Sequence, residues 1–281
     1  MWEKQGTIKE TVFFAGKGLQ TGRKVTVKCY PSPPGAGISF CGKSGAAWTE
    51  IKLIDGFFSG GRKRRSSIIS SGVKVQTVEH FMSALWAAGI DNLKVEVEGP
   101  EFPAMDGSAA VFFARLSQAG REEQDRPRRY IKITEPLKVE NEKASLTVFP
   151  AEKFSVTYHI DYPLECIKKE KFSIDLDDMS FAKEIAPART FCLFKEAVFL
   201  LISGMGRGAT FQNTLILGRK GPLKTAFRFP NEPVRHKILD LVGDMYMLGV
   251  PILGKFECDK SGHELNSRLL RKIHEKYIRQ I

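Results

Sequence analysis

The chain has 281 residues, of which 42% are hydrophobic, and its formal net charge at pH 7 is +11. This length is sufficient for one large domain or two of medium size, each with its own hydrophobic core. No apolar run reaches the roughly 18 residues of a membrane-spanning helix. The first residues lack the pattern of a signal peptide, so we expect a cytoplasmic protein. The five cysteines are scattered, which argues against a disulfide framework and against a cysteine-based zinc site.

The first half of the chain shows a strand, a helix and a second strand. Residues 25–31 alternate like a strand and end at a proline. Thr77 is a good helix N-cap, and the helix that follows is predicted to run to about Ala88, before Gly89. A further strand is expected at residues 93–97.

The second half repeats this order. A strand is predicted at residues 145–150, again ending at a proline. Pro233 is suited to the first turn of a helix, which we expect to run to about Leu248, before Gly249. Residues 252–257 are predicted to form the next strand.

The repeated order predicts an α+β protein with two similar domains, residues 1–125 and 126–281. The charged, proline-bearing segment 121–129 is the expected linker between them. The helix histidines, His80 and His236, are farther apart in sequence than the first strands of the two halves. This spacing indicates an insertion before the second helix.

The candidate insertion lies within residues 189–216 and is strongly apolar. Two interpretations remain open: a helix of the hydrophobic core, or the wall of a channel for an acyl chain. The apolar side chains concerned are Phe191, Leu193, Phe194, Ala197, Val198, Leu200 and Leu201.

The positive charge predicts an anionic partner. The densest basic run, residues 62–65, is interpreted first as a solvated loop. No aromatic platform or recognition helix accompanies it, so we do not expect nucleic-acid binding. A phosphate-bearing substrate or an anionic membrane surface are the other candidate partners.

The histidines indicate metal chemistry. His236 and Asp240 are four residues apart on a predicted helix, so their side chains share one face, with Cβ atoms roughly 5–6 Å apart. With His80 they would supply two imidazoles and a carboxylate, a ligand set suited to a catalytic zinc that keeps one position open. Taken singly, the pair His236 and Asp240 is more often a solvated helix face or a capping interaction, and a histidine such as His80 is more often a hydrogen-bonded structural residue.

Two neighbours of these ligands are candidates for proton transfer. Glu79 precedes His80 and points about 100° away from it on a helix, so it could act as general base beside the metal. His263 follows a Ser-Gly turn, where functional residues are common, and is the candidate general acid.

Several short motifs occur in a fixed order along nearly the whole chain. They are residues 18–22 (GLQTG), 77–80 (TVEH), 89–92 (GIDN), 105–108 (MDGS), 188–191 (ARTF), 235–237 (RHK), Asp240, 243–244 (GD) and 261–263 (SGH). This series resembles the UDP-3-O-acyl-N-acetylglucosamine deacetylase family, the zinc amidases that commit Gram-negative bacteria to lipid A synthesis. Glutamine stands at position 20, where family members usually have histidine.

The resemblance implies a zinc-dependent hydrolysis of an acetamide, with one Zn2+ per chain. His80, His236 and Asp240 match the zinc ligands. Glu79 matches the general base that takes a proton from the zinc-bound water. His263 matches the general acid, or an electrostatic stabiliser of the oxyanion.

Further roles follow from the same resemblance. Asp244 matches a carboxylate that orients the general acid, and Thr190 a hydroxyl donor to the amide oxygen. Substrate contacts are implied at Lys237 and Lys260, near the diphosphate and sugar. The side chains that match the wall of the acyl passage are Phe191, Phe194 and Ala197.

The resemblance also implies an architecture and a set of partners. Each domain would be a layered β-α-α-β sandwich with one insert, and the active site would lie at the domain junction. The substrate would be a UDP-sugar with an acyl chain, and the protein a monomer with at most peripheral membrane contact. The alternatives are a zinc hydrolase acting on a different acylated amine and a non-catalytic nucleic-acid-binding protein.

Overall fold

The computed structural model describes residues 2–44, 47–53, 65–70, 72–167 and 169–278. Residues 62–64 of the predicted basic loop lie outside this described part. Within it, no helix is long and apolar enough to cross a membrane.

The first part of the chain forms one larger sheet, a small hairpin and two helices. The elements are β1 (Lys4–Ile8), β2 (Val12–Lys17), β3 (Lys24–Pro31), β4 (Ile38–Ser44), β5 (Ala47–Lys52), β6 (Ser67–Ser70), β7 (Val73–Gln76), α1 (Glu79–Ala88), β8 (Leu93–Glu98), α2 (Ala110–Ala119) and β9 (Arg121–Pro127). The larger sheet has the strand order β2-β3-β8-β4-β5, and β6 pairs with β7.

The second part forms another larger sheet, two long helices and a small β-α-β unit. The elements are β10 (Ile131–Lys132), β11 (Leu137–Asn141), β12 (Ala144–Phe149), β13 (Phe154–Asp161), β14 (Lys169–Leu176), α3 (Asp178–Ser180), β15 (Phe191–Leu193), α4 (Phe194–Ile202), β16 (Leu215–Leu217), α5 (Glu232–Met245), β17 (Ile252–Asp259) and α6 (His263–Tyr277). The larger sheet has the order β11-β12-β17-β13-β14, the two-residue β10 also pairs with β17, and β15 pairs with β16.

The two larger sheets have the same topology. In each, the last strand in sequence lies in the middle. Strand β8 is antiparallel to β3 and parallel to β4, and β17 is antiparallel to β12 and parallel to β13. Each of these central strands follows a helical segment that ends at a glycine in the left-handed conformation, Gly89 (φ 66°) and Gly249 (φ 70°). The predicted α+β class is confirmed, and α1 ends at Ala88 as predicted. Helix α5 itself ends at Met245, and a 3-10 turn at Tyr246–Leu248 continues the helical segment to Gly249. The division into domains at residues 125/126 stays a prediction.

The helices lie against one another and against the sheets. Phe81 of α1 packs on Phe14 of β2, with ring centroids 6.1 Å apart. Helix α5 packs against β13 and β14, and α1 and α5 pack directly on each other. Both helices are therefore buried around most of their circumference, because each has neighbours on several sides.

The helices α1 and α5 approach closely at Gly243. A Cβ atom placed on Gly243 would lie 2.0 Å from the backbone oxygen of Glu79, far inside van der Waals contact. Since Glu79 and His80 begin α1, this glycine sets their distance from the polar residues of α5.

One local expectation was wrong, and two others can be refined. Thr77 is not the N-cap of α1, and its φ is 57°. Its hydroxyl lies 3.5 Å from the carboxylate of the buried Glu101 and donates to it instead of bonding to the start of the helix. Most of the expected linker, residues 121–129, forms β9, which pairs antiparallel with β1, and its role between two domains stays a prediction. Of the two interpretations left open for the insertion, the core helix is excluded, because none of the residues of α4 is fully buried.

We predict that Gly243→Ala destabilises the protein. The added methyl group forces α1 away from α5, and overpacking of this kind costs roughly 1–3 kcal/mol, more than the ~1 kcal/mol that alanine gains over glycine in a helix. Urea denaturation at equilibrium measures the change. Gly262→Ala is the matched control, since its backbone is extended and a Cβ there meets no atom within 4 Å. Equal stability of the two variants would contradict the close approach.

Candidate metal centre

His80, His236 and Asp240 come together at the contact between α1 and α5. Each offers one ligand atom, and these three atoms lie within 4.8 Å of one another. The Nε2 atoms of His80 and His236 are 3.8 Å and 3.4 Å from Asp240 Oδ1. All three side chains are buried. The sequence placed these residues on two separate helices, and the structure brings them to one point.

The hydrogen bonds and charges around this cluster suit a metal ion. His236 Nδ1 is 3.0 Å from the backbone oxygen of Ala188, so donation there leaves Nε2 with a free lone pair. Burial and the neighbouring His236 lower the pKa of His80 to about 3, and burial also lowers the pKa of His236. Both imidazoles are neutral at pH 7, which is the form that binds metals.

The carboxylate of Asp240 stays ionised despite its burial. Burial alone would raise its pKa, but the nearby cations Lys237 and His263 outweigh this effect and lower it. Lys237 Nζ donates to Asp240 Oδ2 at 3.0 Å. Burial would lower the pKa of Lys237, whereas the Asp240 carboxylate raises it and prevails. The cluster therefore offers one anionic and two neutral ligands.

Glu79 is buried beside the cluster. Burial raises the pKa of Glu79 to about 7 although the nearby His263 opposes the shift. Its Oε2 accepts a hydrogen bond from the backbone amide of Ser66 at 3.1 Å. A carboxyl group with a pKa near neutrality can exchange a proton under physiological conditions, as a general base must.

His263 is held by Asp244. Its Nδ1 is 2.7 Å from Asp244 Oδ2, and its Nε2 is 3.7 Å from Asp240 Oδ2. Burial would lower the pKa of His263, but Asp244 and Asp240 outweigh it and raise this pKa to about 9. The imidazole is therefore a cation at pH 7 and can give up a proton.

Two residues that sequence reasoning missed fix this pair. The amide of Asn266 donates to Asp244 Oδ2 at 2.7 Å, and the Ser66 hydroxyl donates to Asp244 Oδ1. Asn266 lies one helical turn after His263 on the same helix, and this spacing is the only feature of the sequence that could have indicated its role. Ser66 comes from a distant part of the chain and carried no signal.

The candidate metal ligands, Glu79 and His263 all line a cavity of about 220 Å³. Thr190 and Phe191 of the predicted set line it, together with Lys237. The full lining consists of Leu19, Gln20, Thr77, Glu79, His80, Tyr162, Thr190, Phe191, Cys192, Glu196, Leu200, Gly206, Ala209, Thr214, His236, Lys237, Asp240 and His263.

Three predicted substrate contacts do not line this cavity. Lys260 is exposed and has φ 53°, in the left-handed region. Phe194 is 52% exposed, and Ala197 is half-buried on the same helix. The roles of these residues stay predictions.

The segment around Gln20 owes its position to Glu101, another residue that sequence reasoning missed. Glu101 is fully buried, and its carboxylate accepts hydrogen bonds from the backbone amides of Gln20 (3.1 Å) and Thr21 (2.8 Å) and from the Thr21 hydroxyl (2.6 Å). A Cβ at Gly18 would lie 2.1 Å from this carboxylate, so the glycine permits the contact.

The chain was compared with known proteins. Residues 5–275 match the family described as UDP-3-O-acyl N-acetylglycosamine deacetylase. A UDP-3-O-acyl-N-acetylglucosamine deacetylase of Acidithiobacillus ferrooxidans is 39% identical over 96% of this chain and 90% of its own length. Enzymes of the same name from Syntrophotalea carbinolica and Coxiella burnetii are each 37% identical over 96% of this chain, and over 87% and 90% of their own lengths.

We predict that Glu101→Gln loosens the segment at Gln20 and Thr21. An amide cannot accept from all of these donors, and leaving buried donors unpaired costs roughly 1–3 kcal/mol. Hydrogen exchange of the two backbone amides should accelerate at least about tenfold. Glu98→Gln, on the exposed end of β8, is the control and should leave both amides protected. Unchanged exchange in Glu101→Gln would show that the carboxylate does not hold this segment.

Proposed function

The chain belongs to the UDP-3-O-acyl-N-acetylglucosamine deacetylase family, and we propose that it hydrolyses the acetamide of UDP-3-O-acyl-N-acetylglucosamine with the help of zinc. The products are acetate and the free 2-amine of UDP-3-O-acyl-glucosamine, in the committed step of lipid A biosynthesis. The observation that carries the proposal is the buried trio of His80, His236 and Asp240 beside Glu79 and His263.

The donor set favours zinc over magnesium or calcium, because those harder ions prefer ligand sets made entirely of oxygen. The two neutral imidazoles and the ionised carboxylate supply three ligands to one ion per chain. Zinc in this site would polarise the amide carbonyl and make water a better nucleophile at neutral pH.

The side chains of the site supply the proton transfers. Glu79, ionised above about pH 7, takes the proton of the attacking water. His263, a cation below about pH 9, gives its proton to the departing amine. Asp244 orients this imidazole and stabilises its charge. The Thr190 hydroxyl donates to the carbonyl oxygen as negative charge develops there.

The substrate groups are assigned to different parts of the site. Lys237 and Lys260 bind the diphosphate and sugar, since both are cations. The acyl passage begins at Phe191, which lines the cavity, and continues along Phe194 and Ala197 of α4.

The proposal includes the architecture around the site. Residues 1–125 and 126–281 form two layered domains with equivalent sheets, and the site lies at their junction. The first domain contributes Glu79 and His80 from α1, and the second contributes His236 and Asp240 from α5. The enzyme acts as a cytoplasmic monomer and does not bind nucleic acid.

Zinc content and turnover should separate the two kinds of site residue. His236→Ala should lose both zinc and activity, because a buried ligand is removed. Glu79→Gln should keep one zinc per chain while its turnover falls about 10²–10⁴-fold, because only the base is lost. Metal analysis and release of acetate from the acylated UDP-sugar measure both.

His159→Ala serves as the control for the loss of a histidine, because His159 pairs with Asp259 away from the cavity. A wild-type protein without zinc, or full activity in His236→Ala, would overturn the proposal. Equal turnover of an acylated amine without the UDP group would point to a different substrate.

The pH dependence of kcat/KM should follow Glu79 and His263. It should rise as the Glu79 carboxyl loses its proton near pH 7 and fall as the His263 imidazolium loses its proton near pH 9. Asp244→Asn removes the charge that raises the His263 pKa, so the upper limb should move to lower pH. An upper limb that stays in place would exclude His263 as the acid, and Asp259→Asn provides the control.

A further inference from the structure

Helix α4 presents an unusually apolar face to solvent. Five of its side chains are between 42% and 82% exposed: Phe194, Val198, Phe199, Leu201 and Ile202. Single exposed apolar residues are ordinary on protein surfaces, whereas a contiguous group marks an interaction site.

These five side chains form one continuous arc. At 100° per residue, the arc runs from Leu201 through Phe194, Val198 and Ile202 to Phe199 and covers about 160° of the helix. Lys195 falls within the arc and is also exposed. Its long side chain can extend past apolar neighbours to keep the ammonium group in water.

The other side of α4 has a separate task. Glu196 and Leu200 line the catalytic cavity and lie nearly opposite the centre of the arc. The amide of Leu193 donates to Glu196 Oε2 at 3.1 Å, which ties the start of the helix to its inner side. Lining the cavity therefore explains the inner side of α4. Of the outer arc, Phe194 has a proposed role in the acyl passage, and the other four apolar side chains have none.

The segment that contains the arc is rich in cations, of which Arg219 is paired with Glu165 and Arg228 with Asp106. Residues 190–231 contain one acidic residue, Glu196, and the cations Lys195, Arg207, Arg219, Lys220, Lys224 and Arg228. Leu217 pairs with Leu193, so the exposed Arg219 and Lys220 follow β16 at the same end at which α4 begins. Arg207 lies close to Gly204, just beyond the other end of the helix.

We propose that the outer arc of α4 docks on a membrane surface that carries anionic lipid headgroups. Helices with an apolar arc flanked by lysine and arginine lie in the interfacial region of membranes, with the apolar side chains in the acyl boundary and the cations at the headgroups. Helix α4 bears the apolar arc and Lys195, and the neighbouring segments supply the exposed Arg207, Arg219 and Lys220.

The charges favour a lipid surface over a second copy of the chain. In a symmetric dimer the same patch faces itself, so the cations that flank each arc would be brought together. Like charges placed opposite one another weaken association. Anionic headgroups neutralise these cations instead.

The docking goes beyond the deacetylase activity and does not depend on it. Because the inner side of α4 belongs to the cavity wall, docking would place the cavity beside the lipid surface. Membrane binding can be measured without substrate, so its absence would leave the proposed reaction untouched.

The test is flotation of the full-length protein with vesicles. Phosphatidylcholine vesicles containing about one third phosphatidylglycerol should bind at least about tenfold more protein than vesicles of phosphatidylcholine alone. The double variant Phe199→Ser with Ile202→Ser should bind the anionic vesicles at least about tenfold less. Lys195→Glu with Lys220→Glu should also lower binding several-fold.

Matched controls use exposed residues away from α4. Phe13→Ser with Met179→Ser removes two exposed apolar side chains, and Lys132→Glu with Lys143→Glu removes two exposed cations. Both should bind within about twofold of wild type. Thermal unfolding of every variant confirms that it is folded.

Direct contact can be read from Ile202→Trp, whose indole should be quenched by brominated lipid. The proposal is overturned if anionic vesicles do not bind, or if the control doubles lose as much binding as the α4 doubles. It is also overturned if this tryptophan is not quenched. A dimer in sedimentation velocity that disappears with Phe199→Ser and Ile202→Ser would assign the arc to a second copy instead.

Discussion

The close approach of α1 to α5 is the contact on which the site depends. Gly243 leaves room for the backbone of Glu79, and it lies between Asp240 and Asp244 on the same helix. The first residues of α1 therefore lie close to both of these carboxylates. Asp240 lies close enough to His80 for both to bind one metal ion, and Asp244 holds the imidazole of His263. A larger residue at 243 would change both relationships at once.

Burial has opposite consequences for the two proton-transfer groups, because their neighbours differ. It raises the pKa of Glu79, whose nearby carboxylates add to the effect, so that the carboxyl group titrates near pH 7. The same burial would neutralise His263, but Asp244 and Asp240 keep it charged. One enclosed site thus holds a base and an acid that are both in their working forms between about pH 7 and pH 9.

The sequence predicted the parts of the site whose geometry is local. The spacing of His236 and Asp240 on a helix gave their shared face, and Gly89 and Gly249 gave the helix ends. The roles of Ser66 and Glu101 could not be predicted from the sequence, because each acts through hydrogen bonds to residues distant in sequence. Thr77 shows the same limit: it has the chemistry of an N-cap, but a buried carboxylate competes for its hydroxyl.

The insert shows why apolar composition alone does not determine burial. A run of phenylalanine and leucine in the sequence favours a core helix or a channel wall, and both place the side chains away from water. In α4 the angular positions decide instead: Glu196 and Leu200 face the cavity, and the larger apolar side chains face outward. A short helix with one cavity neighbour cannot bury a wide apolar arc within its own chain. None of the described parts of the chain covers this arc, and the cations near it favour an anionic surface as its partner.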